Sequence, residues 1–347
     1  VLLFLESTEV GARLHRNAEG RVEQNGTASV EFLATVPRSL AEDQEGSRPG
    51  RLLQFGHGFF GSRNDADTEF MHELANRTRS VVLAIDWWGL SDADADLVAE
   101  DISNEMEITL RSVDRVHQAM VNQIGVTYAA RSAMTELSEL TFDGELAYDS
   151  AQVYFYGISM GHILGGTYLT LSPHVERAAL NVGGCGFPHI MFRSRSFGPL
   201  FMLINFVMES PLEQQKFSAL SHLSFDRIDP ATYAPLMFDS PLPGAPAERR
   251  LLMHVGIGDA KVPNLASHLH ARMLDVPHLQ PAPRPIYGLE AVDSPFDGSA
   301  LVEFDLGIEE PLPGTYAEMS EDNGVHDDVR TLDAGIEQVD RFLRPDG

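Results

Sequence analysis

The chain has 347 residues, 43% of them hydrophobic, so it can bury a substantial core, and a wholly disordered chain is excluded. Lysine and arginine total 25 against 51 aspartate and glutamate residues, a formal net charge of −26. A chain this acidic repels phosphate backbones and anionic lipid surfaces, which disfavours nucleic acid and such membranes as partners. The single cysteine, Cys185, excludes an internal disulfide framework and any metal site built from several cysteines.

No segment is predicted to span a bilayer. The longest apolar stretch, from Pro199 to Met208, is far shorter than the roughly 20 residues that a membrane helix needs, and Asn205 interrupts it. The first residues, Val1 to Leu5, include neither an initiator methionine nor a basic segment. These residues suit either a trimmed chain or a mature form, from which an upstream signal could have been removed.

Strand-like and helix-like segments alternate along the chain, which predicts an α/β fold with a mostly parallel central sheet flanked by helices. Short, nearly continuous apolar runs are typical of buried parallel strands. In chain order, we predict strands within residues 29–37, 52–55, 81–85, 153–156, 178–182 and 250–255. Helical spacing predicts helices over residues 67–79, from 96 to about 140, and over 327–343, whereas residues 38–51 are predicted to form a loop.

One stretch interrupts this alternation. Residues 187–248 are rich in phenylalanine, methionine and proline and contain no strand-like run. We predict a helical insertion above the sheet, with residues 1–186 and 249–347 forming the main domain. Two interpretations stay open: a lid whose apolar underside lines a substrate pocket, or a subsidiary core beneath a long loop.

A G-x-S-x-G pentapeptide runs from Gly157 to Gly161 with Ser159 at its centre. It follows the strand-like residues 152–156 and precedes the helix-compatible residues 162–169, which is the setting that a nucleophile elbow requires. The two glycines permit the sharp turn, and the helix N-terminus favours negative charge developing near the hydroxyl. The alternative is a glycine-rich turn with a capping serine.

A serine nucleophile needs a base, and that base needs an acid to orient it. In chains with this elbow the acid comes next along the sequence and a histidine follows. Asp259 lies in a loop just after the strand at 250–255, and His326 lies in a loop before the last helix. We therefore predict that Ser159, Asp259 and His326 form a triad; the alternative for Asp259 is a helix cap. The other downstream histidines, His268, His270 and His278, are predicted to be surface residues.

An oxyanion hole requires two fixed backbone N–H groups. We assign one to Met160, which follows the nucleophile, and the other to Phe59 in the glycine-rich loop of residues 56–61; these glycines also suit a plain turn. The residues expected to line the substrate pocket are His57, Gly58, Phe60, His162, Phe192 and Phe201.

These segments resemble the α/β-hydrolase superfamily from about Ser29 to Leu343. More narrowly, the runs YGISMGHILGGTYLTLSP, GIGDAKVPNLASH and GVHDDVR resemble bacterial, often exported hydrolases with poorly defined substrates. The resemblance implies an α/β-hydrolase fold with a helical cap, ester hydrolysis through an acyl-enzyme, no cofactor, and a secreted or periplasmic location. His162 departs from the pattern, because a small residue is common there, and two interpretations stay open: the imidazole packs on the sheet or it lines the pocket. The segment through Ala28 matches nothing.

The resulting prediction is a serine esterase that acts on a small-molecule ester. The phenylalanine- and methionine-rich insertion favours an apolar acyl or alcohol group, hence a carboxylesterase or lipase. A peptidase or amidase uses the same groups, and a catalytically silent hydrolase fold that serves as a binding module is a further alternative. The sequence leaves the oligomeric state, the acyl-chain preference and the physiological substrate open.

Overall fold

The computed structural model describes residues 1–41, 49–104, 111–309 and 321–344. Within them, nine strands form one central sheet and two short strands form a separate hairpin. The strands are β1 (Leu33–Thr35), β2 (Gly50–Gly56), β3 (Ser80–Ala84), β4 (Thr141–Phe142), β5 (Glu145–Leu146), β6 (Tyr148–Ile158), β7 (Val175–Asn181), β8 (Arg250–Gly256), β9 (His278–Gln280), β10 (Ala291–Asp293) and β11 (Ala300–Phe304).

Helices cover both faces of this sheet. They are α1 (Arg38–Ala41), α2 (Glu69–Thr78), α3 (Ala95–Asn104), α4 (Arg111–Ala130), α5 (Met160–Leu171), α6 (Phe187–Met191), α7 (Gly198–Val207), α8 (Pro211–Phe225), α9 (Pro230–Met237), α10 (Asn264–Met273), α11 (Val325–Thr331) and α12 (Asp333–Phe342). In the described residues, no helix is both long enough and apolar enough to cross a membrane.

The order of strands in the sheet is β1-β3-β2-β6-β7-β8-β11-β9-β10. Only the edge strand β1 runs antiparallel to its neighbour, and the other paired strands are parallel. Together with a nucleophile-elbow sequence after β6, this order gives the α/β-hydrolase fold that the sequence predicts. From β2 the chain continues to β3 on one side of the sheet, and from β6 it continues to β7 and β8 on the other side. The neighbours β2 and β6 therefore mark a topological switch point, and ligands of open α/β sheets bind beyond the carboxyl ends of the strands at such a point.

Successive residues of the central strands face opposite sides of the sheet, and both sides are buried. Leu52 packs into a cluster with α4, α5 and α10, whereas Leu53 packs into a cluster with α2, α11 and α12. All five residues of β3 are buried. This two-sided burial explains why the strands are continuous apolar runs and why they could be predicted.

The N-terminal segment, residues 1–28, packs against α4 without forming a helix or a regular strand. Isolated bridges, such as that between Leu5 and Leu14, hold it in a small irregular meander. Buried polar side chains of α4 secure it, because Gln118 bonds to the backbone of Leu2 and of Phe4. This segment is therefore part of the main structure, although its sequence matches no pattern.

Four helices, α6 to α9, occupy the sequence between β7 and β8, so the helical content expected for residues 187–248 is confirmed. Buried apolar side chains of this segment, among them Phe187, Phe197 and Phe225, pack into the main core cluster, so the segment has an apolar buried face. On α7 and α8, several large apolar side chains are exposed, with Phe206 87%, Leu223 76% and Met202 66% accessible.

Several element boundaries differ from prediction. The helix predicted from 96 to about 140 is two helices, α3 and α4, and residues 105–110 between them lie outside the described part. The last predicted helix is also two, α11 and α12, separated at Leu332. The predicted loop at 38–51 contains the short helix α1 and the start of β2, while its residues 42–48 are not described. The strands β9, β10 and β11 were not predicted.

Candidate active site

Ser159 lies at the tip of the turn between β6 and α5, in a backbone conformation that side chains rarely adopt, with φ +58°. The flanking glycines make this turn possible. A Cβ at Gly161 would lie 1.9 Å from the carbonyl oxygen of Gly56, and one at Gly157 would lie 2.3 Å from that of Gly161. The Ser159 amide donates to the carbonyl of Asn181 at 2.9 Å. The surrounding backbone therefore holds Ser159 in a strained geometry, as a nucleophile elbow requires.

Asp259 and His326 form a buried hydrogen-bonded pair, each with 5% of its surface exposed. His326 Nδ1 lies 2.7 Å from Asp259 Oδ2. The second carboxylate oxygen, Oδ1, accepts from the amides of Lys261 and Val262 at 2.7 and 3.0 Å. Because a carboxylate only accepts hydrogen bonds, we assign the proton in this pair to Nδ1, which leaves Nε2 of His326 to face a nucleophile.

His326 lies in the first turn of α11, slightly later than the predicted loop position. The loop that precedes it is tied to the loop that carries the acid, since Asn323 Nδ2 donates to the Gly258 carbonyl at 2.7 Å. Lys261 Nζ adds two ion pairs, to Asp327 at 2.6 Å and to Asp322 at 3.2 Å. Sequence reasoning did not identify Lys261, whose contacts depend on residues more than 60 positions away.

A cavity of about 370 Å³ lies beside these groups. Its apolar wall includes Phe59, Phe70, Met71 and Ile158, and its polar wall is formed by several charged and hydroxyl-bearing side chains. The described residues lining it are Phe55, Gly58, Phe59, Asp65, Thr68, Phe70, Met71, Ile158, Ser159, Ser196, Lys261, His326, Asp327 and Arg330. Ser159 and His326 thus share one cavity.

The loop after β2 passes over Ser159, because a Cβ on Gly58 would lie 3.9 Å from the Ser159 Cβ. Phe59 lines the cavity, and Met160 opens α5, where the first N–H groups of a helix have no partner within it. The oxyanion role of the two amides stays a prediction.

His57 supports this loop and does not line the cavity. Its ring is fully buried, and Nδ1 lies 2.8 Å from the Gly58 carbonyl while Nε2 accepts from the amide of Trp87 at 2.8 Å. Burial lowers its pKa. A neutral ring with both nitrogens engaged joins the loops after β2 and β3, so the expectation that His57 contacts substrate is wrong.

His162 is likewise buried beneath the elbow. Its Nε2 lies 3.0 Å from His270 Nδ1, and burial lowers the pKa of both rings. His162 therefore packs inside the protein instead of lining the pocket. The prediction that His270 and His278 are surface residues is also wrong, because both are buried, and His268 pairs with Glu303 at 2.8 Å.

The aromatic residues expected to line the pocket lie elsewhere. Phe192 and Phe201 contact each other, with ring centroids 5.3 Å apart, and Phe192 lines a separate groove beside α8. Phe60 stacks on Phe59 but is not one of the described cavity-lining residues. Ser196 is the residue of the 187–248 segment that reaches the cavity. The apolar wall comes instead from Phe70 and Met71 in the first turn of α2, together with Phe59 and Ile158.

Comparisons with known proteins bear on the fold alone. No family model and no curated protein matches the chain. Among solved structures, acylaminoacyl peptidase from Pyrococcus horikoshii is 12% identical with a TM-score of 0.47, over 91% of this chain and 40% of its own. Acetyl xylan esterase 1 from Thermoanaerobacterium is 14% identical, with a TM-score of 0.43 over 84% of this chain and 78% of its own. An esterase from Pyrobaculum calidifontis is 14% identical, with a TM-score of 0.42 over 91% and 83%.

Proposed function

We propose that the chain is a serine hydrolase that cleaves carboxylic esters through an acyl-enzyme intermediate. The observation that carries this proposal is the buried pair of His326 and Asp259, joined at 2.7 Å, beside a cavity that Ser159 also lines. A strained serine at a helix N-terminus, a histidine bonded through Nδ1 and an orienting carboxylate are the groups that acyl transfer uses.

In the proposed reaction, Ser159 Oγ attacks the ester carbonyl while His326 Nε2 accepts its proton. Asp259 holds the imidazole in the required tautomer and stabilises the imidazolium that forms. The amides of Phe59 and Met160 donate to the oxyanion. His326 then protonates the leaving alcohol, and a water molecule, activated by the same ring, attacks the acyl carbon and releases the acid from Ser159.

The cavity supports a small ester with an apolar group, as in a carboxylesterase or lipase. Its volume of about 370 Å³ lies at the small end of ligand pockets, which favours a short acyl chain. The aromatic and thioether wall from Phe59, Phe70 and Met71 suits an acyl or alcohol part without charge next to the carbonyl.

We further propose that residues 187–248 act as a cap on the domain formed by 1–186 and 249–347. Two contacts support this. Ser196 lines the cavity, and the ring of Phe197 stacks on that of Phe59 at 4.5 Å. Any displacement of this segment would therefore alter the loop that carries a proposed oxyanion amide.

The proposal is tested by hydrolysis of p-nitrophenyl butyrate by the wild-type protein and Ser159→Ala. We expect turnover by the wild type, loss of nearly all of it in the variant, and fluorophosphonate labelling at Ser159 alone. Equal rates, or a label on another residue, would refute the assignment. A dipeptide amide in the same panel separates a peptidase from an esterase, and absence of both turnover and label would favour a silent binding module.

A further inference from the structure

Asp65 is a carboxylate in the proposed active-site cavity that the triad does not use. It is partly buried, at the turn before α2, and lines the same cavity as Ser159 and His326. Its Oδ2 lies tightly against Gly61, where an added Cβ would be 2.2 Å away. The Gly61 amide in turn donates to the Gly58 carbonyl at 3.1 Å. Asp65 therefore lies beside the loop that passes over the nucleophile.

The other charged groups of the cavity neutralise one another, whereas Asp65 has no such partner within the part of the chain that the structure describes. Asp327 forms ion pairs with Lys261 at 2.6 Å and Arg330 at 2.7 Å, and Lys261 also contacts Asp322 at 3.2 Å. Among the described residues, no cation lies within 4.0 Å of the Asp65 carboxylate. Asp322 and Asp327 thus balance Lys261 and Arg330, whereas Asp65 forms no ion pair among the described residues.

The residues around Asp65 offer little compensation from a distance. Arg63, two positions earlier, is engaged by Asp86 and by Glu31, each at 2.5 Å. His57 is buried, and because burial lowers its pKa it is neutral near pH 7. The Asp65 carboxylate would be favoured by a protonated His57, and it is favoured by a backbone hydrogen bond from Ser62 and, to a smaller extent, by Arg330, whereas Asp92 adds negative potential. Burial raises the pKa of Asp65, the result expected for a carboxylate that has lost water without gaining a full partner.

We propose that Asp65 determines specificity by binding a cationic group of the substrate, so that the preferred substrates are esters carrying an ammonium or quaternary ammonium group. This inference rests on the proposed ester hydrolysis at Ser159. An incoming cation would offset the incomplete solvation of the carboxylate, and it would be attracted towards the cavity by a protein of net charge −26.

The test compares isosteric substrates that differ in one charge. For the acyl part, p-nitrophenyl β-alaninate is compared with p-nitrophenyl butyrate; for the alcohol part, butyrylthiocholine is compared with 3,3-dimethylbutyl thiobutyrate. The ratio of kcat/KM for the cationic over the neutral substrate is measured in the wild type and in Asp65→Asn. Dividing one ratio by the other cancels intrinsic reactivity and any general damage to the loop. The matched control is Asp67→Asn, which removes the same charge from an exposed position outside the cavity.

We expect the ratio to fall at least about tenfold in Asp65→Asn for one of the two pairs, the fold-change for about 1.4 kcal/mol, and to be unchanged in Asp67→Asn. In the wild type it should also fall as salt rises from about 0.05 M to about 0.5 M, because salt screens charges at a partly exposed site. Equal losses on cationic and neutral substrates, or a salt-independent ratio in the wild type, would overturn the inference. Turnover that survives Ser159→Ala would instead overturn the proposed function, so the two failures are distinguishable.

Discussion

Two fully enclosed histidines are expected to make the fold sensitive to acid. Burial lowers the pKa of His254 on β8 and of His270 on α10 from 6.5 to about 4. Between these values the unfolded chain binds more protons than the folded chain. The free energy of unfolding therefore increases with pH in this window, and the contribution is lost as the pH falls from 6.5 towards 4.

The size of the effect follows from the difference between the two pKa values. Each ring lowers the free energy of unfolding by about 3 kcal/mol once the pH is below both pKa values. When the pH changes from about 7.5 to about 5, the loss is about 2 kcal/mol per ring. Domains are stable by only about 5–15 kcal/mol, so two such rings remove a large part of the stability. His162, which contacts His270 at 3.0 Å and whose pKa burial also lowers, adds to the effect in the same direction.

The variant His254→Gln isolates one ring. Glutamine does not titrate, and its amide can donate to Gln338 Oε1, which lies 2.9 Å from His254 Nε2. Urea unfolding, followed by the fluorescence of Trp87 and Trp88, is measured at both pH values. The unfolding free energy at about pH 7.5 minus that at about pH 5 should be about 2 kcal/mol smaller in His254→Gln than in the wild type. An undiminished pH dependence in His254→Gln would refute the reasoning.

Three further substitutions test how the site is held together. Asp259→Asn should lower kcat about 10⁴-fold with the circular dichroism spectrum unchanged, because the imidazole loses its orienting acceptor; activity within tenfold of wild type would contradict this. Lys261→Met should reduce kcat about tenfold or more with a smaller effect on KM, because the loop that carries Asp259 and the loop that carries His326 lose the ion pairs that join them. Unchanged kinetics would show that Lys261 has no part in positioning the site. Gly161→Ala should lower the melting temperature and activity together, because its Cβ would lie 1.9 Å from a carbonyl oxygen, whereas Gly198→Ala meets nothing within 4 Å and should leave both unchanged.

The fold could be predicted where local sequence and final environment agree. Strands β2, β3, β6, β7 and β8 are buried on both faces, so they appear as continuous apolar runs between polar loops. The strands β9 and β10 have three residues each and are half-exposed, so no run of that length stands out. β9 joins the sheet by pairing with β11, over 20 residues later in the chain, and β10 joins it only through β9.

The site could be predicted only for residues whose role depends on a local turn or on chain order. Ser159 is marked by its two glycines, and Asp259 and His326 by their positions after a strand and before a helix. His57 and His162 looked like pocket residues because they lie beside the predicted oxyanion amides. Their burial is decided by partners distant in sequence, Trp87 and His270, which no local pattern reveals.

Net charge and local charge at the cavity are separate properties, and both bear on the choice of substrate. The formal charge of −26 acts at long range, where salt screens it, and disfavours anionic partners of any kind. At the cavity only a few groups matter. Lys261 and Arg330 would favour an anionic substrate if they were free, but Asp322 and Asp327 already neutralise them. Asp65 has no ion-pair partner in the described residues, so under the proposed assignment the cavity and the net charge of the protein both favour a cationic group over an anionic one.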